Sequence, residues 1–113
     1  KGCIAETSAC NIFWVKGNVL YTPKEHSILN GITRRCIIRL CKTNNIRLKI
    51  GDYKLKDLYA ADSAFMTGTA AEIQLIRCIR KKKFNKKSKI INFLKKEYEN
   101  IKKIGPNLIK DLS

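Results

Sequence analysis

The stretch Met66–Glu72, MTGTAAE, sets two threonines, a glycine and two alanines into a chain otherwise crowded with lysine and isoleucine. Small residues let backbone N–H groups come close to a ligand, and threonine adds a hydroxyl donor. Such a turn suits a phosphate or a carboxylate. The competing reading is a plain tight turn between two strands. A second stretch with similar chemistry is Asn30–Thr33, NGIT, which ends in Ile32 and Thr33 at the first turn of an expected helix. There the free N–H groups and the positive end of the helix dipole favour an anion. An ordinary helix start is the alternative.

Metal chemistry is not expected. The five cysteines are Cys3, Cys10, Cys36, Cys41 and Cys78, none forms a C-x-x-C pair, and the one histidine is His26. A zinc site needs a tighter cluster of ligands. Cys36 and Cys41 fall in an apolar helical pattern and Cys78 in a strand pattern, so all three read as buried or half-buried thiols of a reducing compartment.

The 113 residues make one domain at most, and a hydrophobic content of 44% argues against disorder. The first residue is Lys1 and strand-like sequence follows at once, so we read the chain as a piece of a longer protein. No apolar run approaches the length of a membrane span. A soluble cytoplasmic protein is the expectation. The formal net charge is +15, from 24 Lys and Arg against 9 Asp and Glu. A nucleic-acid surface is one explanation. The basic residues are mostly lysine, however, and no interleaved aromatic platform accompanies them. We therefore assign the charge to residue usage and solubility.

The elements that must hold these groups follow from patterning. Ile12–Thr22 gives two β-rich runs around Gly17-Asn18, a pair that favours a tight hairpin. From Ile32, apolar residues at Ile37, Ile38, Leu40 and Cys41 predict a helix that dissolves at Thr43-Asn44-Asn45. Ile46–Ile50 alternates as a half-exposed strand, and KLKDLYAAD makes a short helix. SAFMTG is a buried strand into the small-residue turn. EIQLIRCI leaves it as another strand, with Ile73, Leu75 and Arg77 on one face. The run 80–89 reads as a solvated basic loop. Ser88 then caps a last helix whose stripe is Ile90, Ile91, Leu94, Tyr98, Ile101 and Ile104, stopped by Gly105-Pro106. Alternating strands and helices predict a mixed α/β domain.

Three stretches in this order, IAETSACNIFWVKGNVLYTP, ILNGITRRCIIRL and LYAADSAFMTGTAAEI, resemble the C-terminal domain of class IV pyridoxal-phosphate aminotransferases. The likeness is closest to the branched-chain amino acid aminotransferases and runs from about residue 4 to residue 76. It implies the class IV, D-amino acid aminotransferase-like fold. It also implies cofactor roles residue by residue. Glu6 faces the pyridine nitrogen of pyridoxal 5′-phosphate and keeps it protonated. Leu29 packs on the ring. Ile32 and Thr33 bind the phosphate, Thr33 through its hydroxyl too. Thr69 supplies a second phosphate hydroxyl, Gly68 lets the backbone approach, and the Ala70 amide meets the substrate carboxylate.

The departures are specific. Thr7 and Ala9 stand where the family usually has glycines, Cys10 replaces a usual Glu, Asn30 replaces a proline, and the basic run 80–89 replaces a glycine-bearing loop. The lysine that the family joins to its cofactor lies a few dozen residues upstream of the Glu6 position, and Lys1 does not align with it. We expect a truncated or degenerate branched-chain enzyme, inactive alone, whose intact relatives move an amino group from Leu, Ile or Val to 2-oxoglutarate as homodimers. A D-amino acid transaminase or an aminodeoxychorismate lyase shares the fold. The rival from another class is a small basic nucleic-acid-binding module.

Overall fold

The hairpin at Gly17-Asn18 sets the frame. A computed structural model of the chain describes residues 3–4, 12–24, 32–67, 73–79, 81–84 and 87–104. In chain order its strands are β1 (Cys3–Ile4), β2 (Ile12–Lys16), β3 (Val19–Pro23), β4 (Leu48–Gly51), β5 (Ser63–Thr67), β6 (Ile73–Ile76), β7 (Cys78–Ile79) and β8 (Lys82–Lys83). The helices are α1 (Ile32–Thr43), α2 (Leu55–Tyr59) and α3 (Lys89–Ile104). Gly17 takes a φ of +63°, which a residue with a Cβ adopts only at a cost, so β2 turns directly into β3. The Asp62 carboxylate accepts the Gly17 N–H at 3.0 Å and ties this turn to the start of β5.

Five strands form the main sheet in the order β4-β3-β2-β5-β6. β2 lies antiparallel to both β3 and β5, with Trp14 opposite Tyr21 on one side and Ala64 on the other. β4 runs parallel to β3, a direction made possible by the intervening α1. Alternation along the strands then separates two faces. Phe13, Val15, Leu20, Phe65 and Ile73 pack with α1 and α3, while Ile12, Trp14, Ala64 and Ile76 pack with Leu58, Ala61, Ile79 and Phe84. Mixed α/β architecture is as expected.

α1 buries Cys36, Ile37, Leu40 and Cys41 against the sheet. It ends at Asn44-Asn45, where Asn45 takes a left-handed φ of 57° and the Ile46 N–H reaches back to the Cys41 carbonyl at 2.9 Å. α3 buries Ile91, Leu94 and Tyr98, and the Ser88 hydroxyl accepts the Ile91 N–H at 3.2 Å. The stripe and the cap are those the sequence pattern predicts. Gly105-Pro106 lies outside the described residues.

Three expectations change. Leu75 shares a face of β6 with Ile73, as alternation predicts, but is 50% exposed. β6 is the edge strand, so alternation alone does not guarantee cover. The run also breaks at Arg77, and β7 leaves the main sheet to join a second one of order β1-β7-β8. The basic run is not simply a loop: β8 pairs with β7, and Phe84 is buried beneath it with its N–H on the Arg77 carbonyl at 2.8 Å. A buried aromatic anchors the run, and its lysines Lys81, Lys83 and Lys87 stay in water. Finally, Cys78 is half of a disulfide and not a free thiol. The parallel pairing of β1 with β7 puts two cysteine positions, 3 and 78, opposite one another in the register, a proximity that sequence spacing conceals.

Cys36 and Cys41 are free and buried. Burial disfavours the thiolate and pushes the two thiols up to about 11 and about 12. Neither should react with iodoacetamide at pH 8 until urea unfolds the chain, as mass spectrometry of the alkylated peptides will show. Because the folded values lie above the ordinary one of 9.0, the stability these thiols contribute is complete below pH 9. It declines as pH rises from there through the folded values.

Candidate functional site

The strand directions bring four chain ends to one edge of the main sheet. β2 begins there at Ile12, which pairs with Met66 near the end of β5. β5 ends at Thr67 opposite Ile73, the first residue of β6. β3, antiparallel to β2, ends there at Pro23. The segments leading into or out of these ends are 5–11, 24–31 and 68–72, which carry Glu6, Leu29 and Gly68, Thr69 and Ala70. Those five residues lie outside the described residues. The two remaining candidates, Ile32 and Thr33, open α1.

Arg34 brings the start of α1 to the same edge. Its guanidinium is 4% exposed and donates from Nη2 to the Pro23 carbonyl at 2.9 Å. It also lies over the Phe13 ring at 6.0 Å from the centroid. A planar, permanently charged fork suits this combined role of carbonyl donor and stacking plate. The Thr22 hydroxyl donates to the Ile12 carbonyl at 2.8 Å and fastens the ends of β2 and β3 together.

Thr33 is buried, and its hydroxyl sits 3.0 Å from the Tyr98 hydroxyl of α3. A threonine hydroxyl has one proton and two acceptor sites, so with Tyr98 donating, the Thr33 proton stays available for an anion. The start of α1 is rich in donors. Its first turn holds no acidic residue, its leading amides have no intrahelical acceptor, and the Arg35 Nε is buried without a hydrogen-bond partner. That donor set fits a phosphate. Replacing Tyr98 by Phe should destabilise the chain by about 1–2 kcal/mol, because the buried Thr33 hydroxyl loses a partner. Adding Thr33→Val should recover part of that loss, and urea unfolding of both variants is the check.

Arg34 and Tyr98 were not singled out as polar site residues from sequence. Arg34 directly follows the GIT motif and interrupts an apolar stripe, a signal for a buried cation. Tyr98 reads as one more apolar position, and nothing local marks its hydroxyl.

A family model described as amino-transferase class IV matches residues 1–79. The chain belongs to that family. A probable branched-chain-amino-acid aminotransferase of Rickettsia bellii is 43% identical over 104 residues, covering 89% of this chain and 36% of the relative. An aminodeoxychorismate lyase of Bacillus subtilis is 45% identical over 73 residues, covering 64% of this chain and 25% of the relative. A solved branched-chain aminotransferase of Thermoproteus uzoniensis, with norvaline, superposes at a TM-score of 0.72 with 39% identity, covering 80% of this chain and 31% of that one. The chain thus spans about a third of the length of such class IV relatives. The α/β sheet with its flanking helices is the class IV fold. No helix among the described residues is long and apolar enough to cross a membrane, and no group of residues among them could hold a metal ion.

Proposed function

We propose that these 113 residues are the cofactor-binding part of a branched-chain amino acid aminotransferase, with pyridoxal 5′-phosphate as the cofactor the family implies. The observation that carries the reading is the donor-rich start of α1, held by Arg34 at the sheet edge where the segments bearing Glu6, Leu29 and Gly68–Ala70 begin or end. When bound, the cofactor supplies an electron sink for reactions at an amino-acid α-carbon. The amides of Ile32 and Thr33, with the Thr33 and Thr69 hydroxyls, hold the phosphate. Gly68 admits its approach, Leu29 packs the ring, the Glu6 carboxylate holds a proton on the ring nitrogen, and the Ala70 amide orients the substrate carboxylate.

Transfer from leucine, isoleucine or valine to 2-oxoglutarate, in a homodimer, belongs to the same proposal, and so does a division in which the joined lysine and the substrate-side wall lie outside these residues. The chain alone is then inactive. A cytoplasmic location is also proposed; the free thiols Cys36 and Cys41 favour it and the Cys78 disulfide weighs against it. The lyase reading rests on the Bacillus relative.

The test is a titration of the chain with pyridoxal phosphate and with pyridoxal, followed by Trp14 fluorescence. The phosphorylated form should bind at least tenfold more tightly, Thr33→Val should erase that difference, and leucine with 2-oxoglutarate should give no turnover. Equal binding of the two forms would remove the phosphate assignment, and turnover by the purified chain would remove the expected inactivity.

A further inference from the structure

At the far end of β5 from that edge, about 13 Å along the strand at ~3.3 Å per residue, the start of α3 crosses the sheet over Ser63. α3 is 16 residues long and has no acidic residue in its first turn. The Ser88 hydroxyl takes the Ile91 N–H, while the Lys89 and Ile90 amides have no carbonyl within the helix to bond.

Beside it lies a recess of about 360 Å³ lined by Ser63, Leu75, Arg77, Phe84, Lys87 and Asn92 among others, with no carboxylate among its described lining residues. Two cations stand at its rim, and Leu75 and Phe84 give it an apolar side.

Ser63 is the independent observation. It is 5% exposed, and its hydroxyl has no hydrogen-bond partner. It shares the α3-facing side of β5 with Phe65, two residues on, so it projects toward the helix start. It lines this recess and a smaller one of about 190 Å³ on the other side of Ser88. An orphaned buried hydroxyl destabilises a fold unless a partner arrives. The smaller recess includes Asp62, whose charge repels an anion. The larger has two cations and no carboxylate among its described lining residues.

We infer that this larger recess binds a small organic anion, a carboxylate on a short hydrocarbon body. The headgroup sits between Arg77 and Lys87, and the tail lies on Leu75 and Phe84. The Ser63 hydroxyl turns about its χ1 to donate to the headgroup. The site is separate from the α1 edge and stands whether or not that edge binds a cofactor.

Amide-resolved NMR titration tests it, with hexanoate, inorganic phosphate, hexanol and hexylamine as probes. Hexanoate should shift the Arg77 and Asn92 amides saturably and bind at least fivefold more tightly than hexanol or phosphate, with hexylamine silent. Arg77→Gln with Lys87→Gln, both at exposed positions, should weaken hexanoate at least tenfold. Ser63→Ala should weaken it at least threefold, and Thr33→Val should leave it unchanged. Equal binding of hexanol would overturn the anion site, tighter binding of phosphate would overturn the apolar component, and an unchanged Ser63→Ala would remove the hydroxyl's role. Absence of saturable shifts at Arg77 and Asn92 would overturn the inference as a whole.

Discussion

Phe65→Ala should remove a large part of the chain's stability. Phe65 is 0% exposed and stacks on Phe13 with ring centroids 5.0 Å apart and planes within 6°. The pair joins β2 to β5 at the middle of the main sheet and meets α1 and α3 on the same face. Truncating a buried Phe to Ala costs about 3–5 kcal/mol, from lost transfer energy and from the cavity left behind. A domain of this size has about 5–15 kcal/mol in all, so the loss is a large part of the whole. Urea unfolding followed by circular dichroism should show the midpoint moving to markedly lower denaturant. Phe65→Leu, which keeps most of the volume, should retain a cooperative transition. A midpoint unchanged by Phe65→Ala would mean that this face of the sheet is not the core.

Arg34→Ala should do comparable damage for a different reason. The guanidinium is buried, and its removal strips the Pro23 carbonyl of a charged donor and Phe13 of its stacking cover. A hydrogen bond to a charged group contributes about 1.5–3 kcal/mol, and lost packing adds to it. Arg34→Lys keeps the charge but has neither the fork nor the flat face, so it should recover little. The functional readout is sharper than the stability readout. If the proposed phosphate site is correct, Arg34→Ala should weaken pyridoxal phosphate at least tenfold under conditions where the variant remains folded, because α1 loses its anchor at the sheet edge. Unchanged affinity for the phosphorylated ligand would separate Arg34 from the site.

The parts of the fold that were legible in sequence are those with local physical signals. Gly17-Asn18 supplies the backbone freedom its turn uses, Ser88 supplies the cap of α3, and Ile91, Leu94 and Tyr98 repeat at helical spacing onto one face. The parts that were not legible depend on what lies opposite. Leu75 obeys strand alternation but sits on an edge where nothing covers it fully. β7 and β8 are two residues each, too short to carry any period. Cys78 has no sequence neighbour that marks it for a disulfide, because its environment is set by the pairing with a strand more than seventy positions earlier. At the candidate site, the helix start at Ile32–Thr33 was read directly from NGIT. The burial of Arg34 was not, since charge patterning cannot distinguish a solvated arginine from one that has found a carbonyl and a ring. Glu6, Leu29, Gly68, Thr69 and Ala70 were assigned through the resemblance and remain proposals.

The bond between Thr33 and Tyr98 spans 65 positions of sequence, and this has a consequence for the order in which the molecule is made. On the ribosome, the hairpin of β2 and β3 can close as soon as it emerges and Arg34 can bond Pro23, but the Thr33 hydroxyl lacks its Tyr98 partner until α3 has been synthesised and released. Contacts so distant are formed late because the long intervening loop must be closed first. The nascent chain therefore passes through a stage in which most of the main sheet is assembled and the Thr33 hydroxyl is still without Tyr98. On the proposed phosphate assignment, a ribosome stalled before α3 would present a folded sheet whose site is not yet complete.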